Sequence, residues 1–276
     1  MGTTTAIALE RHGAVSAAPP LVLIHGVGTN RSIWSRSVPA LAKRRTVITL
    51  DLPGFGESPA PEGGGWTIAG SAASICAALT AEIEPPFDLC GSSLGGAVAL
   101  ELAAANPDLV DKLVLCAPAG FRPVPRLLPL LAGAAVGPFL TARREAGSRL
   151  AGLAAARRIT LAGTIADGAR LDPATARLML AASAGSASLG PAFRAAAAAN
   201  LTATLDAGPD ELGLIWGSAD RVIPAGTAAR ILALRPRARL ELIPGAGHIP
   251  HLERPELFVP ALERLLERLP SARASA

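Results

Sequence analysis

The stretch 88-DLCGSSLGGAVALELA-103 decides how the chain folds. It begins with the end of a short apolar run, which is typical of a buried parallel strand, and it ends in an alanine- and leucine-rich segment that favours a helix. Between the two lie Gly91, Gly95 and Gly96, and glycines leave room for the backbone at a sharp turn. The stretch therefore predicts a strand, a tight turn and a helix, with Ser93 at the turn.

Strand-like and helix-like segments alternate along much of the chain. The apolar runs lack period-two alternation, as strands buried on both faces do, and helical stretches follow them. The predicted strands are 21–25, 46–50, 87–91, 112–117, 212–216 and 239–244, and the predicted helices are 32–42, 69–83, 94–105, 226–234 and 255–268. Glu253 and Glu256, beside Pro255, are interpreted as the acidic start of the last helix. The alternation predicts an α/β fold with a mostly parallel, doubly wound sheet.

The alternation stops between residues 119 and 205, where alanine, glycine, leucine and arginine dominate and the strand pattern is lost. We interpret this segment as an α-helical lid inserted before the late strands, because long insertions in compact domains are usually functional. The expected division is a core of residues 1–118 and 206–276 and a lid of residues 119–205. The lid is apolar and poor in aromatic residues, which favours substrates with an apolar acyl or alkyl part.

The composition of the chain argues against several classes of function. The formal charge is +4 over 276 residues, and the absence of a basic run interleaved with aromatic residues argues against nucleic-acid binding. The three cysteines lack metal-type spacing, and the N-terminus lacks a leader pattern, so we expect a cytoplasmic protein without metal or organic cofactor. The apolar run 127–142 contains prolines and is shorter than the ~20 residues of a membrane span, so stable membrane insertion is not expected.

Ser93 has the sequence context of a nucleophile elbow, which is Gly-x-Ser-x-Gly between a strand and a helix. Such a turn lifts the serine hydroxyl above the carboxyl end of the sheet. It also brings the hydroxyl to the amino end of the next helix, where N–H groups favour developing negative charge. A serine nucleophile needs a base, and the base needs an acid that orients it.

The acid and the base are expected after Ser93, because elbows of this kind have the chain order serine, acid, histidine. His248 and His251 are the two histidines that follow it, and the glycine-flanked loop around His248 favours that residue as the base. His251 is expected to be structural. Asp220 follows the predicted strand 212–216 and is the expected acid.

An oxyanion formed on the substrate needs N–H donors. The first expected donor is Leu94, the residue after the serine. The second is Val27, in the loop 25-HGVG-28 that follows an earlier strand. His25 is expected to hold that loop in shape.

Five segments resemble the lidded, esterase-like serine hydrolases of the α/β-hydrolase superfamily. They are "LIHGVG", "DLPGFGES", "GSSLGG", "WGSADRVIP" and "GAGHIPHLERPE", which cover the core and leave out the insertion. The resemblance implies the α/β-hydrolase fold, a triad of Ser93, Asp220 and His248, and a structural role for Asp51. Relatives that hydrolyse epoxides or haloalkanes use an aspartate nucleophile, and Ser93 in that place argues against both reactions.

Hydrolysis of carboxylic esters through an acyl-enzyme is the first expectation. Alternatives with the same triad are hydrolysis of C–C bonds, lactones or amides, and acyl transfer. An alternative of another class is a non-catalytic ligand-binding protein on the hydrolase fold.

Arginines are concentrated in the insertion. Residues 122–194 contain ten arginines and three acidic residues, including the pairs Arg143–Arg144 and Arg157–Arg158. We interpret them first as solvated helix faces, because exposure is the default for charged side chains. The second interpretation is a basic rim that receives an anionic substrate or an acidic carrier protein.

Overall fold

The computed structural model describes residues 5–121, 142, 145–182 and 186–271. Its strands are β1 (Leu9–His12), β2 (Leu21–Ile24), β3 (Val47–Leu50), β4 (Phe87–Ser92), β5 (Val110–Cys116), β6 (Gly213–Gly217) and β7 (Arg239–Ile243). They form one sheet in the order β1-β3-β2-β4-β5-β6-β7. β1 pairs antiparallel with β3, and all other pairs are parallel. The expected mostly parallel sheet is confirmed.

The helices follow the strands as the alternation predicts. They are α1 (Val38–Leu41), α2 (Ile68–Glu82), α3 (Leu94–Ala105), α4 (Ala154–Thr160), α5 (Pro173–Ala181), α6 (Leu189–Ala198), α7 (Thr202–Ala207), α8 (Ala228–Leu234), α9 (Pro250–Glu253) and α10 (Pro255–Arg268). Within the described ranges, none is both long enough and apolar enough to cross a membrane.

Two elements differ from the sequence prediction. The predicted helix 32–42 is instead a 3₁₀ turn, Arg31–Trp34, followed by the short α1. Pro39 explains the break, because a proline inside a helix removes a hydrogen bond and clashes with the carbonyl four residues earlier. β1 lies outside the predicted strands because its sequence, LERH, is polar and half-exposed at the edge of the sheet.

Alternate residues of the strands face two apolar clusters, one on each side of the sheet. In β2, Val22 and Ile24 belong to the first cluster, and Leu21 and Leu23 belong to the second. Helices α2 and α3 pack on the first cluster, and α10 packs on the second. This burial on both faces explains why the sequences of the strands are continuous apolar runs.

The described part of the insertion between β5 and β6 contains helices α4 to α7 without a strand. Its apolar residues are divided between the two clusters. Leu189 and Leu205 pack in the first cluster, and Leu161 and Ile165 pack in the second. The described part of the insertion is therefore packed against both faces of the sheet through these residues.

For Arg157, both interpretations of the arginines, as solvated charge and as part of a basic rim, are wrong. It is 7% exposed, and its guanidinium donates hydrogen bonds to three backbone carbonyls, those of Ala151, Gly152 and Ala169. Arg157 is therefore an internal brace of the insertion, neither a solvated charge nor part of a basic rim. Arg158 is exposed. Arg143, Arg144 and all but the last residue of the apolar run 127–142 lie outside the described residues.

Gly217, at the carboxyl end of β6, allows the loop after β7 to approach closely. A Cβ atom at Gly217 would overlap the carbonyl oxygen of Gly247 and would lie 2.5 Å from that of Ala246. Only a residue without a side chain leaves room for this contact. The loop that carries His248 can therefore lie beside the loop that carries Asp220.

Replacement Gly217→Ala should lower the free energy of unfolding by about 2 kcal/mol or more, because backbone atoms must move to accept the methyl group. Gly226→Ala is the matched control, since a Cβ atom there meets nothing within 4 Å. Urea unfolding of both variants measures the difference. Equal stabilities would contradict the close packing of the two loops.

His251 is a core residue, as expected from the sequence. It is completely buried, and its ring stacks on Trp34 with centroids 3.9 Å apart. Neither ring nitrogen has a hydrogen-bond partner within the described part of the chain. Burial lowers the pKa of His251 from 6.5 to about 3. The ring is therefore neutral and serves packing.

This burial makes stability depend on pH. Below about pH 6.5 the unfolded chain protonates His251, but the folded chain does not until about pH 3, so stability falls as the pH falls through this window. Replacement His251→Phe removes the group and should make the decline between about pH 6 and pH 4 shallower by up to about 1.4 kcal/mol per pH unit. Urea unfolding across this range measures both slopes, and parallel curves would contradict the neutral buried imidazole.

Candidate active site

Ser93 occupies the turn between β4 and α3. Its φ is 55° and its ψ is −118°, a conformation that residues with side chains rarely adopt. The Ser93 N–H donates to the Cys116 carbonyl at 2.8 Å, and the Ala119 N–H donates to the Ser93 carbonyl at 3.1 Å. The predicted strand, turn and helix are present, and bonds to the end of β5 hold the strained turn in place.

The loop 25–28 lies against this turn. A Cβ atom at Gly26 would be 3.0 Å from the Ser93 Cβ and 3.6 Å from its Oγ. Val27 follows Gly26, and Leu94 follows Ser93. The structure thus brings together the two segments that carry the predicted oxyanion donors.

His25 fixes the shape of that loop. Its Nδ1 is 2.8 Å from the Gly26 carbonyl oxygen, and its Nε2 accepts a hydrogen bond from the Leu52 N–H at 2.9 Å. Because Nε2 accepts, the proton lies on Nδ1. Burial lowers the pKa of His25 to about 4, which keeps the ring neutral. The role expected for His25, which is to hold the loop, is confirmed.

Asp51 also has a structural role, as the resemblance implies. Its buried carboxylate accepts hydrogen bonds from the backbone N–H of Arg31 at 2.7 Å and from that of Glu57 at 3.0 Å. It also contacts the Arg31 guanidinium. These bonds join the loop after β2 to the loop after β3.

Asp220 and His248 form a buried hydrogen-bonded pair. The Asp220 Oδ2 is 2.7 Å from the His248 Nδ1. The other carboxylate oxygen accepts the backbone N–H groups of Val222 at 2.8 Å and Ile223 at 2.9 Å. Since Asp220 accepts at Nδ1, that nitrogen carries the proton and Nε2 keeps its lone pair. The imidazole is therefore held in the tautomer that can accept a proton.

The pair lies at the same edge of the sheet as the serine turn. Strands β4 to β7 are neighbours in the sheet, and Ser93, Asp220 and His248 each follow the carboxyl end of one of them. Ser92, the residue before Ser93, pairs with Cys116 across β4 and β5. The carboxylate and the serine turn thus lie at the same edge of the sheet.

The buried thiols of β4 and β5, Cys90 and Cys116, are unsuited to nucleophilic chemistry. Cys76, Cys90 and Cys116 are free thiols. Burial raises the pKa of Cys90 to about 12 and raises that of Cys116 well above its usual value, so both stay protonated. Among the described residues, no group of three or more potential metal-ligating side chains is placed to hold an ion.

Glu253 is a further residue of the site that sequence reasoning did not identify. Its carboxylate accepts N–H groups from Gly247 and Ile249, the residues on either side of His248, and one from Ala166 in the insertion. Burial raises its pKa, and the three N–H donors oppose that rise. The available signal was its place five residues after His248, within the segment "GAGHIPHLERPE".

Comparison with known proteins relates the chain to a family of hydrolases. The profile of the alpha/beta hydrolase family matches residues 21–261. A pimeloyl-[acyl-carrier protein] methyl ester esterase of Aromatoleum aromaticum is 32% identical over 255 residues, covering 86% of this chain and 94% of that protein. An uncharacterized protein of Mycobacterium tuberculosis is 30% identical over 261 residues, covering 91% of this chain and 76% of that protein.

Solved structures share the fold. A hydrolase from Pseudomonas aeruginosa PA01 has a TM-score of 0.77 at 25% identity, covering 96% of this chain and 97% of that one. The enol-lactonase from Burkholderia xenovorans LB400 has a TM-score of 0.76 at 24% identity, covering 97% and 98%. A parallel sheet with a strained serine turn, together with a profile match over most of the sequence, places the chain in the alpha/beta hydrolase family.

Proposed function

We propose that this hydrolase cleaves carboxylic esters through an acyl-enzyme intermediate on Ser93. The observation that carries the proposal is the 2.7 Å hydrogen bond between Asp220 and His248, at the same edge of the sheet as the strained serine turn. The Aromatoleum aromaticum relative, which is 32% identical over most of its length, is an esterase, and this supports ester hydrolysis as the reaction.

In the proposed reaction the Ser93 Oγ attacks the ester carbonyl carbon while the His248 Nε2 takes the hydroxyl proton. The tetrahedral intermediate collapses, and the alkoxide leaves with the proton from His248. Water then attacks the acyl-serine ester, His248 takes one of its protons, and the carboxylic acid departs as Ser93 recovers its hydroxyl proton. Asp220 keeps the imidazole in its tautomer and stabilises the imidazolium.

The proposed oxyanion donors are the backbone N–H groups of Leu94 and Val27. Leu94 is the first residue of α3, and first-turn N–H groups have no partner within their own helix. The Val27 segment lies next to Ser93, since a Cβ atom at Gly26 would be 3.0 Å from the Ser93 Cβ. Both donors therefore belong to segments that meet at the nucleophile.

We also propose that residues 119–205 form a lid over this edge, with residues 1–118 and 206–276 as the core. Support comes from the helical structure of the described part and from its position between β5 and β6, whose carboxyl ends border the site. The substrate we propose is a small ester with an apolar acyl or alkyl part. Lactone, amide and C–C hydrolysis and acyl transfer remain the alternatives with the same triad.

Each replacement Ser93→Ala, His248→Ala and Asp220→Ala should lower kcat about a thousandfold or more, because the three side chains act as one unit. For the same reason their effects should not add. A panel of p-nitrophenyl esters of increasing acyl length provides the assay, with thermal unfolding as a check on folding.

His251→Phe is the control for the base. Asp210→Asn is the control for the acid, because Asp210 precedes β6 at the opposite end of the strand from Asp220. Both variants should keep near-normal kcat. If Asp220→Ala kept normal activity, the proposed acid would be wrong. Tight ligand binding with no turnover of any ester, lactone or amide would favour a non-catalytic binding protein.

The acidic-carrier interpretation has its own test. The Aromatoleum aromaticum relative is named for a substrate on an acyl-carrier protein, and Arg158 exposes 69% of its side chain.

If arginines of the insertion attract an anionic or carrier-linked ester, kcat/KM for that ester should fall steeply between low salt and about 0.15 M salt. The kcat/KM for a neutral short-chain ester should hardly change. Replacing Arg143, Arg144 and Arg158 by glutamine should abolish the difference. Arg157 stays unchanged because it braces the insertion, and equal salt responses would reduce the other arginines to solvated charge.

A further inference from the structure

We infer that Glu253 is a positioning residue for His248 and that its carboxylate couples the base to residues 164–166 of the insertion. The inference rests on the proposed function, because it assigns Glu253 a role that acts through the proposed base. Within the described part of the chain, Glu253 forms no hydrogen bond with Ser93 or with Asp220.

The carboxylate of Glu253 holds the backbone on both sides of His248. The Gly247 N–H lies 2.9 Å from Oε1 and 3.0 Å from Oε2. The Ile249 N–H lies 3.3 Å from Oε1. One residue before and one residue after the base are thus fixed to a single side chain, which itself ends the short helix α9.

The same carboxylate reaches the insertion. Its Oε2 accepts the Ala166 N–H at 2.9 Å. A second hydrogen bond joins the same two segments: the His248 N–H donates to the Thr164 carbonyl at 2.8 Å. Gly247 packs into this junction, where a Cβ atom would lie 2.7 Å from the Ala166 nitrogen and 2.9 Å from the Thr164 oxygen. The loop 244–249, which carries the proposed base (the base loop), and residues 164–166 therefore form one hydrogen-bonded unit.

This part of the insertion is itself well anchored. Leu161 and Ile165 are buried in the second apolar cluster together with Ile249 and Leu252, which belong to the base loop and α9. The apolar contacts fix the two segments against each other, and the polar contacts of Glu253 set their register. Asp220 holds the imidazole through Nδ1, whereas Glu253 holds the peptide that carries it.

The chemistry of the contacts requires a carboxylate. Both oxygens of Glu253 accept backbone N–H groups, and a glutamine of the same size offers one acceptor oxygen and one NH₂ group. In a Glu253→Gln variant the NH₂ group must face a backbone N–H, and the unmatched donors lose their partner inside a buried site. The Asp220 bond survives, but the backbone below the imidazole can shift, and small misplacements of a catalytic group reduce kcat by up to about 10².

The test compares Glu253→Gln with Glu256→Gln, which removes an exposed charge three residues away on α10. Glu253→Gln should lower kcat for a p-nitrophenyl ester at least tenfold and should change KM less than twofold, because ester binding does not require proton transfer. Glu256→Gln should leave both values unchanged. Thermal unfolding shows whether each variant is folded at the assay temperature.

A double-mutant cycle with His248→Ala separates positioning from general structural damage. If Glu253 acts through His248, adding Glu253→Gln to the His248→Ala protein should lower its residual activity less than twofold. A merely structural role would lower activity by the same factor in both backgrounds. If Glu253→Gln is unfolded at the assay temperature, Glu253→Asp, which keeps the charge but shortens the side chain, is compared by the same two criteria.

The outcomes distinguish this inference from the proposed function. Near-normal activity of His248→Ala would overturn the proposed function itself. An inactive His248→Ala protein together with a fully active Glu253→Gln protein, or with equal effects of Glu253→Gln in the two backgrounds, would overturn the positioning role and leave the triad intact.

Discussion

The arrangement of the site depends on the hydrogen bond between the Asp220 Oδ2 and the His248 Nδ1. The two residues lie 28 positions apart, in loops that follow the neighbouring strands β6 and β7. Their loops can meet because Gly217 has no side chain to separate them. The bond is short and buried, so its geometry sets both the tautomer and the direction of the imidazole. Whatever moves either loop changes the direction in which Nε2 points.

Carboxylates held by backbone N–H groups organise this edge of the sheet. Asp51 joins the loops after β2 and β3, Asp220 holds its own turn through Val222 and Ile223, and Glu253 holds the base loop. Burying a charged group is costly unless several donors compensate it, and each of these groups receives at least two backbone N–H bonds. Such bonds are directional, so they fix loop conformation more tightly than apolar contacts alone. Loops on the surface thereby gain the rigidity that a catalytic constellation needs.

The sequence predicts the parts of the fold and site whose signals are local. The apolar runs predict the buried strands, and the glycines around Ser93 predict the turn, because each signal arises from the conformation of a few adjacent residues. Arg157 and Glu253 give different results because their partners are set by how separate segments pack against each other, which a local sequence pattern does not record. An arginine in an alanine-rich helix is expected to be solvated, yet Arg157 binds carbonyls of the insertion. Glu253 fits the start of a helix equally well, and its bond to Ala166 arises 87 positions away.

The link between Glu253 and the insertion limits how a lid can move. If the whole insertion opened as one body, the bond from the His248 N–H to the Thr164 carbonyl and the bond from Ala166 to Glu253 would both break. Leu161 and Ile165 would also leave an apolar cluster that includes Ile249. Opening of that kind would release His248, the proposed base, from its support. Motion confined to other parts of the insertion would keep these bonds and contacts. We therefore expect residues 161–166 to move with the sheet, although they lie within the insertion.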